Sequence, residues 1–83
     1  MSSEIYKITS PLMGTFYRAS APGAKPLVEV GQRVNPSDVV GIIESMKIFT
    51  ELRTEKGGIV KKILLEDEDP VMKNQELMEI EVD

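Results

Sequence analysis

Met78, Ile80 and Val82 alternate with Glu79, Glu81 and Asp83, the period-two signature of a strand with one face buried. Val28 and Val30 bracket Glu29 in the same way and predict a second half-buried strand. Val39-Val40-Gly41-Ile42-Ile43 and Ile63-Leu64-Leu65 are aliphatic runs too short to stand as independent helices. Helical periodicity is nowhere sustained for three turns. Turn signals punctuate these runs: Ser10-Pro11, Ala21-Pro22-Gly23, Asn35-Pro36, Gly57-Gly58 and Asp69-Pro70. Many short strands at near-even spacing predict an all-β chain, closed as a small antiparallel sandwich or barrel. Residues 19–26, rich in Ala, Pro and Ser, predict a loop.

The pattern also repeats. Residues 27–44 laid on 64–81 match at Leu27/Leu64, Glu29/Glu66, Val34/Val71, Ile43/Ile80 and Glu44/Glu81. That is five identities in eighteen positions, where about one arises by chance. Upstream, Gly14-Thr15-Phe16 falls on Gly58-Ile59-Val60 at a displacement of 44 rather than 37, so the first copy carries seven extra residues. They coincide with the Ala/Pro/Ser loop. Two like halves, neither able to bury a face alone, predict two sheets stacked with approximate two-fold symmetry. Under that symmetry the turn at residues 45–48 is the counterpart of the chain ends, and it is expected at the opposite end of the molecule.

Composition narrows the function. The chain has 83 residues, 41% of them hydrophobic and 29% charged, which predicts one small domain over residues 1–83 with a thin core. A net charge of −4 and a pI near 4.8 argue against a nucleic-acid binder, which needs a basic face. Histidine and cysteine are absent, which excludes imidazole acid–base chemistry, thiol nucleophiles, disulfides and zinc sites built on Cys or His. No apolar run approaches the ~20 residues of a membrane-spanning helix, and no signal-peptide pattern opens the sequence. These exclusions point to a carrier or interaction module, not a self-sufficient enzyme.

One segment carries candidate chemistry. Ile42-Ile43-Glu44, Ser45-Met46-Lys47 and Ile48-Phe49-Thr50-Glu51-Leu52 read as a hairpin with Met46 and Lys47 at its tip. A methionine exposed there gains no core contact but suits recognition by a partner. A lysine on a rigid tip offers an amine for acylation. Met72-Lys73 repeats the dipeptide but aligns with the turn Asn35-Pro36, so Lys73 reads as a solvated turn residue. Placement on the hairpin is the signal, not the dipeptide. Glu66-Asp67-Glu68-Asp69 reads as a solvated acidic turn, with no metal expected.

Glu44-Ser45-Met46-Lys47 resembles the Glu-Ala-Met-Lys modification motif of biotinyl domains. From about Ile8 to Val82 the chain resembles the biotinyl domains of the carboxyl carrier subunits of bacterial and plastid acetyl-CoA carboxylases. The resemblance includes Ser10-Pro11-Leu12-Met13-Gly14-Thr15-Phe16-Tyr17-Arg18, Val30-Gly31-Gln32-Arg33-Val34 and Gly57-Gly58-Ile59-Val60-Lys61. Gly14 to Arg18 followed by an Ala/Pro-rich insertion resembles the thumb-like insertion of these carriers. Ser45 replaces the usual Ala, and Ala19 stands where related thumbs often carry a Thr.

The resemblance implies a flattened antiparallel β-barrel of two four-stranded sheets with pseudo-two-fold symmetry. It implies that a biotin protein ligase attaches biotin covalently to Lys47, with Met46, Glu44 and Ile48 in recognition. It implies that Ala19, Ser20, Ala21 and Pro22 lie near the biotin ring. The non-catalytic carrier would shuttle CO₂ as carboxybiotin from biotin carboxylase to carboxyltransferase, forming malonyl-CoA for fatty acid synthesis in the cytoplasm or plastid stroma. The alternatives are a lipoyl carrier domain of a 2-oxo-acid dehydrogenase complex and an unmodified β-barrel interaction module.

Overall fold

Eight strands run through residues 4–83, the part of the chain described by the computed structural model. They are β1 (Glu4–Thr9), β2 (Gly14–Tyr17), β3 (Arg33–Val34), β4 (Val39–Ser45), β5 (Ile48–Arg53), β6 (Gly58–Ile63), β7 (Pro70–Val71) and β8 (Glu76–Val82). They form two four-stranded sheets, ordered β1-β8-β6-β3 and β5-β4-β2-β7, with every pairing antiparallel. No helix forms among the described residues, and none is long and apolar enough to cross a membrane.

The internal repeat is the organising rule of these sheets. A displacement of 37 residues carries β3 onto β7 and β4 onto β8, and one of 44 carries β1 onto β5 and β2 onto the start of β6. Turn chemistry repeats as well. Asn35 N donates to Asp38 Oδ2 at 2.8 Å, and its counterpart Met72 N donates to Gln75 Oε1 at 2.9 Å. Glu29 N donates to Gln32 Oε1 at 3.1 Å, and Glu66 N to Asp69 Oδ2 at 2.9 Å. The buried hydroxyls Ser10 Oγ and Thr54 Oγ1 donate to the carbonyls of Leu12 and Lys56 at 2.6 and 2.7 Å. Side chains that satisfy turn amides locally fix the ends of neighbouring strands without drawing on the ladders.

The core between the sheets comes from equivalent positions of both halves: Phe16 and Val60, Val34 and Val71, Val40 and Leu77, Ile43 and Ile80, Ile8 and Leu52. β4 and β8 each depart from strict alternation at one place. Val40 and Leu77 are skipped in the ladders to β5 and β1, and each lies buried beside a buried neighbour, Gly41 and Met78. A bulge turns two consecutive residues toward one face and bends the strand over the core.

The expected strand at Val28–Val30 does not form. Val28 is buried, but Val30 is exposed, and the chain turns instead, with Gln32 N donating to Glu29 O at 3.1 Å and Gly31 at φ +91°. Glycine adopts that conformation without a Cβ clash, so the turn wins over a three-residue apolar alternation.

Two contacts locate the first and last described residues, Glu4 and Asp83. Lys56 Nζ lies 3.5 Å from Glu4 Oε2, and Asp83 N donates to Gly57 O at 3.4 Å. Residues 56–57 follow the far end of β5, whose six residues span about 20 Å. The β4–β5 turn therefore sits at the other end of β5 from the residues that hold Glu4 and Asp83.

Candidate functional site: the β4–β5 hairpin tip

Glu44 pairs with Phe49 and Ser45 with Ile48, leaving Met46 and Lys47 as a two-residue turn. Both have left-handed backbones, φ 51° and 65°, as in the type I′ turn whose twist matches a β-hairpin. Such turns favour Asn-Gly, whereas here two long side chains accept a conformation costing roughly 1 kcal/mol each. The ladder on both sides and Glu44 hold it: Glu44 Oε2 accepts the Lys47 amide N–H at 2.9 Å. Strained backbone maintained by its surroundings is characteristic of functional turns.

The tip is open to solvent. Met46 is 90% exposed, and Lys47 and Ile48 are exposed beside it. Among the described residues the ion pairs are Lys7–Glu76, Arg33–Asp83, Arg53–Glu51 and Lys56–Glu4, so the Lys47 ammonium is in none of them. The Glu44 carboxylate stands at the turn, where it is engaged by the Lys47 backbone amide.

A cavity of about 280 Å³ opens on the outer face of the same sheet. Tyr17, Ile42 and Phe49 form its floor, and Ala19, Ser20, Ala21 and Pro22 form one wall with Asp67 and Glu68. The insertion is tied down at its root. Leu27 N donates to Arg18 O at 2.7 Å, Arg18 N to Asp67 Oδ1 at 2.7 Å, and Arg18 Nη2 to Val28 O at 3.2 Å. Ala24 N donates to Ala21 O at 3.1 Å within the loop.

The structure thus brings the four insertion residues together with both strands of the hairpin, through Ile42 and Phe49, while Lys47, Met46, Glu44 and Ile48 gather at the tip outside the cavity lining. Sequence reasoning missed Phe49. Its signal was an aromatic at an outward-facing position of β5, directly across from Glu44. It also missed Asp67 as an anchor of the insertion. The acidic turn forms no cluster able to hold a metal among the described residues, since Asp69 caps Glu66 and Asp67 binds Arg18.

Residues 6–83 match the family model described as "Biotin-requiring enzyme". The chain belongs to the biotin-requiring enzyme family. Over all 83 residues of the chain it is 42% identical to the biotin carboxyl carrier protein of acetyl-CoA carboxylase of Nostoc sp., covering 46% of that protein. The Haemophilus influenzae protein of the same name is 43% identical over 74 residues, 89% of this chain and 48% of its own length. The chloroplastic carrier protein 2 of Arabidopsis thaliana is 45% identical over 64 residues, 77% of this chain and 25% of its own length. The chain spans about half the length of the bacterial relatives and less of the plant one. Among solved structures, Kluyveromyces lactis urea carboxylase superposes with a TM-score of 0.77 at 29% identity, over 96% of this chain and 6% of that one. In this biotin-requiring family member, the two-sheet frame and the projecting lysine turn coexist with a cavity-forming insertion.

Proposed function

We propose that the protein carries biotin on Lys47 and serves as the non-catalytic carboxyl carrier of an acetyl-CoA carboxylase. The observation that supports this most is the placement of the Lys47 amine: on a rigid I′ turn, outside every ion pair of the described residues, at the end of β5 remote from the residues that hold Glu4 and Asp83.

The residues present suit the cofactor. Lys47 Nζ, once deprotonated in a biotin protein ligase, attacks the acyl carbon of biotinyl-adenylate and forms an amide as AMP leaves. Met46 gives the ligase a flexible apolar contact, Glu44 keeps the turn in shape, and Ile48 adds apolar surface. Tyr17, Phe49 and Pro22 offer apolar faces to a small flat ring, and Ser20 and Asp67 offer polar edges around it. Bound biotin would supply a ureido nitrogen able to hold a carboxyl group. The β scaffold would keep the group tethered, so that each delivery would occur at high effective concentration and not by free diffusion. Biotin carboxylase and a carboxyltransferase acting on acetyl-CoA, making malonyl-CoA for fatty acid synthesis, are the partners this role requires. The setting is bacterial cytoplasm or plastid stroma.

Intact mass after incubation with ATP and either biotin plus a biotin ligase or lipoate plus a lipoate ligase tests the reading. One biotinyl increment and no lipoyl increment is the expected result. A lipoyl increment instead, or no increment with either enzyme, contradicts it.

A further inference from the structure

Thr15 on β2 lies between Glu44 of β4 and Pro70 of β7. Met13, Met46 and Met72 lie two residues beyond Thr15, Glu44 and Pro70, each one residue outside its strand. At the other sheet, a Cβ on Gly57 would be 3.6 Å from Asn35 Cα, and Gly57 O accepts Asp83 N at 3.4 Å. Those three residues are the repeat counterparts of Met13, Met72 and Met46.

Met13 is 61%, Met46 90% and Met72 63% exposed, whereas Met78 is 1% exposed. The chain has no cysteine and no tryptophan, so these thioethers are its most readily oxidised groups. All three are open to solvent, and Met46 adjoins Lys47 in the chain.

We propose that Met46 is an oxidation-sensitive position through which peroxide switches off modification of Lys47. This rests on Lys47 being the biotin-accepting lysine. The Met46 Sδ lone pair attacks one oxygen of hydrogen peroxide, and the O–O bond breaks. Hydroxide leaves and takes up a proton to become water, so sulfur is oxidised by two electrons and the peroxide reduced. The sulfoxide puts a polar, chiral S=O where the ligase meets an apolar contact. A sulfoxide reductase using a dithiol reverses it, releasing the oxygen as water and leaving a disulfide on the reductant. Met13 and Met72, less exposed, oxidise later.

The test treats the unbiotinylated protein with hydrogen peroxide, maps the sulfoxides by peptide mass, and isolates the form oxidised at Met46 alone. Its biotinylation rate with biotin ligase is compared before and after a methionine sulfoxide reductase. Met46 is expected to oxidise first and Met78 last. The Met46 sulfoxide form should be labelled about tenfold more slowly, the scale of losing one buried apolar contact, and the reductase should restore the rate. Met46→Leu, compared only with its own untreated rate, should lose less than about twofold on peroxide treatment, because its tip has no thioether. Undiminished labelling of the Met46 sulfoxide, oxidation of Met78 as early as Met46, or an equal loss in Met46→Leu overturns the proposal. If the untreated protein is never labelled, the carrier reading fails and the proposal with it. If untreated and oxidised forms are labelled equally, the proposal alone fails.

Discussion

Met46 and Lys47 hold left-handed backbone side by side with no glycine between them. Their position at a tip was legible because apolar runs flank them on both sides, and because Met72-Lys73 showed that the dipeptide alone means little. The backbone conformation was not legible, since no glycine or asparagine marks it. The family resemblance implies a recognition role for Glu44, and the structure gives it a local task, accepting the Lys47 amide. Glu44→Ala should therefore speed hydrogen exchange of the Lys47 amide and cost about 1 kcal/mol. Exchange at wild-type rates removes that role. Met46→Asp should slow biotinylation about tenfold, the worth of one apolar contact, with an unchanged urea midpoint because the side chain is 90% exposed. A shifted midpoint would place Met46 in the fold and not in recognition.

Among the elements, β8 was the most readable, because Met78, Ile80 and Val82 alternate with acidic residues, while its counterpart β4 showed as an aliphatic run. Their bulges at Val40 and Leu77 were hidden, since an extra residue looks like a longer apolar run. The alternation at Val28–Val30 misled because Gly31 imposed a turn that three residues could not resist. Side-chain volumes in the two halves trade places. Phe16 lies over Gly41, while the equivalent positions hold Val60 and Met78. A Cβ on Gly41 would stand 2.7 Å from Phe16 Cε1. Gly41→Ala should cost about 1–3 kcal/mol by overpacking, measured by urea unfolding. A cost near zero means that the ring has room to move.

Across the whole molecule the two sheets share a plan but not a surface. Tyr17, Ile42, Phe49 and Met13 on the outer face of the hairpin sheet correspond to Lys61, Glu79, Ile5 and Gly57 on the other. That second face carries the Arg33–Asp83 pair, at 2.8 Å. The hydrogen bond from Arg33 holds the Asp83 carboxyl below the usual carboxylate range. A carboxyl depressed by folding adds stability above its unfolded pKa and loses it as pH falls through the folded value. The midpoint gap between wild type and Asp83→Asn should thus be present at neutral pH and close on acidification below about pH 4. The pair is exposed, so high salt should narrow the gap too. A gap that widens in acid contradicts the assignment. The symmetry itself was legible from five matched residues, whereas the divergence of the two faces needed the register.

The carrier account requires that position on the frame, not local sequence, selects one of seven lysines. Mapping the biotin by peptide mass in wild type and in Lys47→Arg tests this most directly, because Met72-Lys73 offers the same dipeptide on an ordinary turn. The account predicts label on Lys47 alone and none in the variant. Label on Lys73, or an equally labelled Lys47→Arg protein, contradicts it.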